Sequence, residues 1–282
     1  MQKLLPTISE LRTQVSAWRR KGETIALVPT MGALHDGHIS LVKQAQTLVR
    51  RVVVSIFVNP TQFAANEDLS KYPRPFAADL ARLKLAGADA VFIPSVAEMY
   101  GSGFCTTISL EGPAKVGLED AFRPTHFSGV ATVVTKLLLQ AQPDFALFGE
   151  KDFQQLAVVR QMVSDLNIPA QIIGGLTLRE PDGLAMSSRN VFLNAADRKI
   201  APEIFNVMNW CASEFKHRES AAVLAEGRAK LEAAGFKLDY LELRDAVSLA
   251  KVEKISVPCR LLFAGKLGTT RLIDNIAVQN YL

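Results

Sequence analysis

Val28-Pro-Thr-Met-Gly-Ala-Leu-His35-Asp-Gly-His38-Ile-Ser-Leu41 carries a short apolar strand through a glycine-punctuated loop with two histidines and into an amphipathic helix. A strand-to-helix junction of this kind aims backbone N–H groups and two imidazoles at one spot, which suits a phosphate chain. The chain holds only four histidines in 282 residues, and two of them stand three positions apart here. The bland alternative is a pair of ordinary polar loop residues, yet a loop that merely turned would not need imidazoles beside Gly32 and Gly37. Nor is this a zinc helix pair, which needs histidines at i and i+4 with an intervening Glu. The dipole at the start of the next helix disfavours a cationic His38 and favours an imidazole that donates a hydrogen bond.

Outward from this junction, strand and helix alternate. Ile25–Val28, Val52–Val58, Ala90–Ile93, Phe145–Phe148 and Ala170–Ile173 read as short strands, most of them buried on both faces. Helical spacing covers Gly37–Val49, Phe76–Ala86, Ser128–Gln140 and Phe153–Leu166. This βαβ rhythm predicts an α/β fold, a Rossmann-like doubly wound parallel sheet, with ligands beyond the carboxyl ends of the strands. Before it, Thr7-x-x-Glu10 reads as a capping box ahead of the stripe Ile8, Leu11, Val15, Trp18, and the first residues are expected to open a polar-faced helix. After Gly174-Gly175 the rhythm changes to helices at about Ala196–His217 and Ser220–Ala234 and strands at Tyr240–Leu243 and Arg260–Ala264. The expected division is therefore a Rossmann-like domain over 1–175 and a smaller C-terminal α+β lid domain over 176–282.

With 49% apolar and 21% charged residues the chain can bury a large core. Thirty-two basic residues against 28 acidic ones give a net charge of +4, and no basic run exceeds Arg19-Arg20-Lys21, so no nucleic-acid partner is indicated. Three scattered cysteines signal neither a disulfide framework nor a zinc site and point to the cytoplasm. No apolar run approaches the ~18 residues of a membrane span, so no membrane partner is expected.

Several other polar clusters follow strand ends. Gly149-Glu150-Lys151-Asp152 leaves one strand and opens a helix, where Lys151 can reach a phosphate and Asp152 a sugar hydroxyl; a charged helix start is the plain alternative. Met186-Ser187-Ser188-Arg189-Asn190 is a polar loop suited to gripping phosphate, or else a solvated turn. Asn59-Pro-Thr-Gln62 places two amides past the second strand, able to read hydroxyls and carboxylates without adding charge. Arg123-Pro-Thr-His126 puts an anion-binding pair ahead of a helix, with surface hydrogen bonding as its plain reading. Gly265-Lys266-Leu-Gly-Thr fails the P-loop template, since Arg260 stands where the first Gly belongs, and reads as a hairpin turn. His217 beside Lys216 and Arg218 compensates a helix C-terminus.

Taken in order, these segments resemble the pantoate–β-alanine ligase (pantothenate synthetase) family of the His-x-Gly-His nucleotidyltransferase superfamily. The likeness rests on Pro29–His38, Phe57–Phe63, His126–Val134, Phe148–Gln155 and Arg179–Asn190, five motifs in register over most of the chain. It implies that ATP and pantoate form pantoyl-adenylate and pyrophosphate, after which the β-alanine amine displaces AMP to give pantothenate. By the same resemblance His35, His38, Lys151 and Arg189 are the catalytic group, with His38 in the proton-donor position. Met31, Gly32, Ala33, Leu34, Asp36 and Gly37 would complete the ATP loop, together with Gly149, Glu150 and Asp152. Met186, Ser187 and Ser188 would also hold nucleotide, and Leu178 would lie against adenine through its backbone. Gln62 and Gln155 would bind pantoate, with Asn59, Arg123 and His126 assigned beside them.

A pantoate carboxylate is already nucleophilic at neutral pH, so adenylation needs alignment and charge neutralisation rather than a base. Mg²⁺ is expected with ATP, its ligands unnamed by the sequence, and homodimerisation is implied by the resemblance alone. Two rivals are another nucleotidyltransferase of the same superfamily, such as a cytidylyltransferase or a pantetheine-phosphate adenylyltransferase, which would share His35 and His38 but not need the Gln62 and Gln155 pair, and a non-catalytic nucleotide- or RNA-binding protein, which a pI near 9.0 alone supports.

Overall fold

The computed structural model describes residues 2–63, 69 and 72–278. In chain order these form β1 (Lys3–Leu5), α1 (Ile8–Arg19), β2 (Ile25–Thr30), α2 (Asp36–Leu48), β3 (Arg51–Ile56), α3 (Phe76–Leu85) and β4 (Ala90–Phe92). The short α4 (Val96–Met99) and α5 (Glu119–Phe122) precede α6 (His126–Ala141), β5 (Phe145–Gly149), α7 (Phe153–Asp165) and β6 (Gln171–Gly175). The remainder is α8 (Ala195–Ile200), α9 (Glu203–Glu214), α10 (Ser220–Ala233), β7 (Lys237–Asp245), β8 (Cys259–Leu267) and β9 (Thr270–Val278). The chain forms two compact units: one of residues 1–115, 119–150 and 155–176, the other of 116–118, 151–154 and 177–282.

In the first unit six strands in the order β1-β4-β3-β2-β5-β6 make one sheet, and every pairing is parallel. Ile25, Ala26, Leu27 and Val28 on β2 are all fully buried. Their alternation explains why: Ile25 and Leu27 pack with Leu11, Val15 and Trp18 of α1 and Val130 and Val134 of α6, while Ala26 and Val28 pack with Leu41 and Val42 of α2 and Leu83 of α3. Helices on both faces make the sheet doubly wound, as the βαβ rhythm predicts. Each Leu or Val so buried stabilises the fold by roughly 1.5–3 kcal/mol. The winding reverses at β2, which is flanked by β3 on one side and β5 on the other. In open parallel sheets ligands bind in the crevice at such a switch point. Met31–His38 leaves the carboxyl end of β2, and Glu150 follows that of β5.

The amino terminus departs from expectation. Lys3–Leu5 is not helical but an edge strand, paired in parallel with Ala90–Phe92. Three residues are too few to show a period, so only the pairing partner reveals the strand.

The second unit is built on the antiparallel sheet β7-β8-β9, which packs Leu241, Leu261 and Phe263 against Ile204, Met208 and Cys211 of α9 and Val223 and Leu231 of α10. The single helix expected over Ala196–His217 is broken in two at Ala201-Pro202, because proline lacks an N–H and its ring clashes with the preceding turn. The Gly265–Thr269 turn is also shorter than expected. Gly265 and Lys266 belong to β8, and the hairpin closes through Gly268 and Thr269 alone, with Gly268 at φ +56°. That hairpin adds β9, a strand the sequence pattern did not reveal.

Candidate active site

The loop after β2 is shaped by a carboxylate. Asp79 on α3 is buried and accepts the backbone N–H groups of Ala33 at 2.9 Å and Leu34 at 2.8 Å. Gly32 and Ala33 take left-handed conformations, with φ of +83° and +50°. A Cβ on Gly32 would lie 3.1 Å from both Asp79 Oδ2 and Ile56 Cγ2, so glycine is the residue that fits there. The Ala33 and Leu34 N–H groups are thus committed to Asp79 rather than presented to an anion, and the Leu34 side chain joins the core. One turn further along α3, Arg82 pairs with the exposed Asp36 at 3.1 Å, so that side chain is also engaged.

The two histidines cap α2 reciprocally. His35 is the N-cap and its Nδ1 accepts the Gly37 N–H at 3.2 Å, while His38 Nδ1 accepts the His35 N–H at 3.2 Å. The ring centroids lie 4.1 Å apart. A backbone N–H can only donate, so each Nδ1 is an acceptor and each neutral ring carries its proton on Nε2. The capping-box geometry usually made by Ser or Thr with Glu is made here by two imidazoles.

Past β3, Met31, Asn59, Gln62, Arg123 and His126 come together. Gln62 Nε2 donates to Met31 Sδ at 3.0 Å, and Gln62 Oε1 accepts from Asn59 Nδ2 at 3.1 Å. Asn59 is buried and also donates to the Gly129 carbonyl at 3.2 Å. Its Oδ1 accepts from the Tyr100 hydroxyl at 2.7 Å and from Thr61. His126, the first residue of α6 rather than a loop residue, places Nδ1 3.0 Å from the Gln62 carbonyl, while Arg123 Nη1 lies 3.2 Å from its Nε2. A carbonyl only accepts and a guanidinium only donates, so His126 has its proton on Nδ1. Arg123 also lies 3.9 Å from Glu119. Asn59, Arg123 and His126 therefore hold Gln62 from behind. On α7, Gln155 is half-buried.

In the second unit the carbonyl of Lys151 accepts from Asn275 Nδ2 at 2.8 Å, and Lys151 Nζ lies 4.0 Å from Asp152. Asn275 Oδ1 in turn accepts from Arg260 Nε at 2.6 Å, and that guanidinium stacks 4.1 Å from the Phe153 ring centroid. The neighbouring Asp274 grips Arg179 in a bidentate pair at 2.6 and 3.0 Å. Arg179 also donates to the Gly183 carbonyl at 3.0 Å. It thereby closes the Leu178–Met186 loop, in which the Leu178 carbonyl accepts the Met186 N–H at 2.9 Å. Ser187 caps the 3-10 turn Ser188–Phe192 through the Arg189 N–H at 3.2 Å, and Asn190 donates to the Ala185 carbonyl at 3.1 Å.

The sequence reading missed Asp79, Tyr100, Asp274 and Asn275, and gave Arg179 no role. Asp79 had a signal: it shares a helix face with the fully buried Leu83, and a carboxylate on an apolar face needs partners. Asp274-Asn275 interrupts an otherwise apolar run in β9 in the same way.

A family model described as pantoate-beta-alanine ligase matches residues 3–277. The chain is 55% identical to pantothenate synthetase 2 of Bradyrhizobium diazoefficiens over 274 residues, covering 96% of this chain and 97% of that one. Among solved structures, pantothenate synthetase from Thermus thermophilus superposes with a TM-score of 0.94 at 42% identity, over 99% of this chain and all of that chain. A pantoate-beta-alanine ligase from Francisella tularensis, complexed with beta-gamma ATP and beta-alanine, gives a TM-score of 0.85 at 35% identity over 99% of both chains.

Proposed function

The chain belongs to the pantoate–β-alanine ligase family and is an ATP-dependent ligase that condenses pantoate with β-alanine through pantoyl-adenylate, releasing AMP and pyrophosphate; on that premise we propose which of its residues carry each step. The reciprocal His35–His38 cap carries the proposal. It sits at the carboxyl end of β2, beside the switch point, and both neutral rings have a donor Nε2–H. These donors take the ATP phosphates, with His38 as the proton-donating ring.

In adenylation a pantoate carboxylate oxygen bonds to the α-phosphorus, and the bond from that phosphorus to the β-bridging oxygen breaks with its electron pair going to pyrophosphate. The carboxylate needs no base, so the protein's task is alignment and stabilisation of charge on the leaving group. Met31, Gly32 and Gly37 line the nucleotide side of the loop, and Gly149 and Glu150 follow from β5. Within the second unit, Lys151 and Arg189 supply positive charge, and Asp152, Leu178, Met186, Ser187 and Ser188 complete the nucleotide contacts. Gln62 and Gln155 bind pantoate, and Asn59, Arg123 and His126 support Gln62. The uncharged β-alanine amine then attacks the acyl carbon, the bond from that carbon to the AMP oxygen breaks with its electron pair going to AMP, and the amine's proton passes to the departing phosphate, a step that requires water to be kept from the mixed anhydride.

Among the described residues no group of three His, Cys, Asp or Glu side chains is placed to hold a metal ion, and Asp36 and Asp79 are already engaged. The oxygens of the triphosphate, which suit a hard cation, would hold Mg²⁺, which would supply charge neutralisation there. Action as a cytoplasmic homodimer, to be checked by sedimentation and cell fractionation, completes the reading. The decisive experiment is pyrophosphate–ATP exchange with Mg²⁺ and without β-alanine. Exchange that depends on pantoate supports the assignment; equal exchange without pantoate refutes it.

A further inference from the structure

Gln62 presents one particular end of its amide, and the reason lies three residues away. Asn59 Nδ2 donates to the Gly129 carbonyl at 3.2 Å, and Asn59 Oδ1 accepts the Thr61 backbone N–H at 3.3 Å. One partner can only accept and the other can only donate, so the Asn59 amide has a single possible orientation. Its remaining N–H then reaches Gln62 Oε1 at 3.1 Å, which turns the Gln62 NH₂ group toward Met31 Sδ at 3.0 Å. A thioether is a weak acceptor, and an oxygen would replace it readily.

The shortest bond in this network comes from outside the loop: the Tyr100 hydroxyl donates to Asn59 Oδ1 at 2.7 Å. The Tyr100 ring is itself fixed, with Phe104 and Phe57 centroids 5.0 and 6.1 Å away and the Lys136 ammonium 5.9 Å from its own. Burial also pushes the phenol above its ordinary 10.0, so it remains a donor over the whole neutral range.

We propose that Tyr100 is a positioning residue that holds Asn59, and through it Gln62, so that pantoate meets a hydrogen-bond donor. This rests on the reading of Gln62 as a pantoate ligand. The substrate group recognised is accordingly an acceptor, a carboxylate or hydroxyl oxygen.

The test is steady-state kinetics on Tyr100→Phe, Gln62→Ala and the double variant. Tyr100→Phe should raise the KM for pantoate roughly five- to tenfold, as expected for one lost hydrogen bond, with the KM for ATP unchanged and kcat lowered less than about threefold. In the Gln62→Ala background the same substitution should add nothing. Purely structural loosening would instead move both KM values and persist in that background, which overturns the proposal. So does an unchanged pantoate KM in Tyr100→Phe when Gln62→Ala raises it. An unchanged KM in Gln62→Ala itself overturns the Gln62 assignment first, a distinguishable failure that takes this proposal with it.

Discussion

Asp79 stands 45 positions beyond Leu34 in the sequence, and its Oδ1 accepts the Leu34 backbone N–H at 2.8 Å. The bond to Ala33 beside it makes the carboxylate a template for a loop that two left-handed residues would otherwise leave unsupported. Asp79→Ala should strand two N–H groups and lower stability by about 2 kcal/mol or more, read by urea unfolding. ATP affinity by calorimetry should fall along with it. Asp79→Asn keeps one acceptor oxygen and should fall between the two. Normal ATP affinity in the alanine variant would refute the templating role.

His35 has two duties that substitution can separate. His35→Ala removes a helix cap, at a cost of about 1 kcal/mol. His35→Asn restores a strong N-cap, so its melting temperature should return to the parent value while pantoate-dependent exchange stays about 10²- to 10³-fold down. Restored exchange in the asparagine variant would leave the imidazole with only a structural duty.

Gly129 on α6 lies against the segment that carries Gln62. A Cβ there would sit 2.4 Å from the Thr61 carbonyl oxygen and 2.7 Å from the Gln62 nitrogen, both backbone atoms. Gly129→Ala must therefore shift Thr61 and Gln62, and the KM for pantoate should rise roughly tenfold or more, the loss expected when a hydrogen bond is misplaced. Titration of pantoate at saturating ATP reads this directly.

In the second unit the Asp274–Arg179 pair is almost fully removed from solvent on the Asp274 side, at 3% side-chain exposure. Asp274→Ala leaves that guanidinium uncompensated and should cost about 3–5 kcal/mol, enough to threaten folding. Asn275→Ala is the milder variant. It should retain most stability while loosening Lys151, whose carbonyl Asn275 holds, so exchange should drop more than the melting temperature does.

The cysteines give a prediction about pH. Burial pushes the Cys211 thiol from its ordinary 9.0 to about 12 and raises Cys259 as well, whereas Cys105 is exposed. The unfolded chain loses these two protons near its ordinary thiol value of 9.0 while the folded chain keeps them. Stability should therefore be whole below that pH and fall as pH rises from there. Iodoacetamide at about pH 8, where an ordinary thiol is partly ionised, should label one cysteine in the folded protein and all three in urea, counted by mass spectrometry.

Much of the sheet was legible because β2 and its neighbours are short apolar runs separated by helical periods, a pattern that burial on both faces enforces. Local chemistry also exposed the histidine pair, since Gly32 precedes it and Gly37 separates its two members. Long-range polar partners left no such trace. Asp79 on Leu34, Tyr100 on Asn59 and Asn275 on Lys151 are pairings made by the tertiary fold, and no spacing encodes them. β1 and β9 were missed for a related reason: three residues carry no period, and the hairpin that launches β9 turns on Gly268 and Thr269 alone.

The second unit draws on three separate stretches of chain, 116–118, 151–154 and 177–282. A fragment beginning at 177 would lack Val116, whose carbonyl accepts from Arg244 at 3.0 Å, and Lys151, whose carbonyl accepts from Asn275. Cleavage at the glycine pair before it would thus sever a continuous core from pieces of its own wall. Such a fragment is not a transferable cassette: two carbonyls that its own side chains hold, those of Val116 and Lys151, lie outside it.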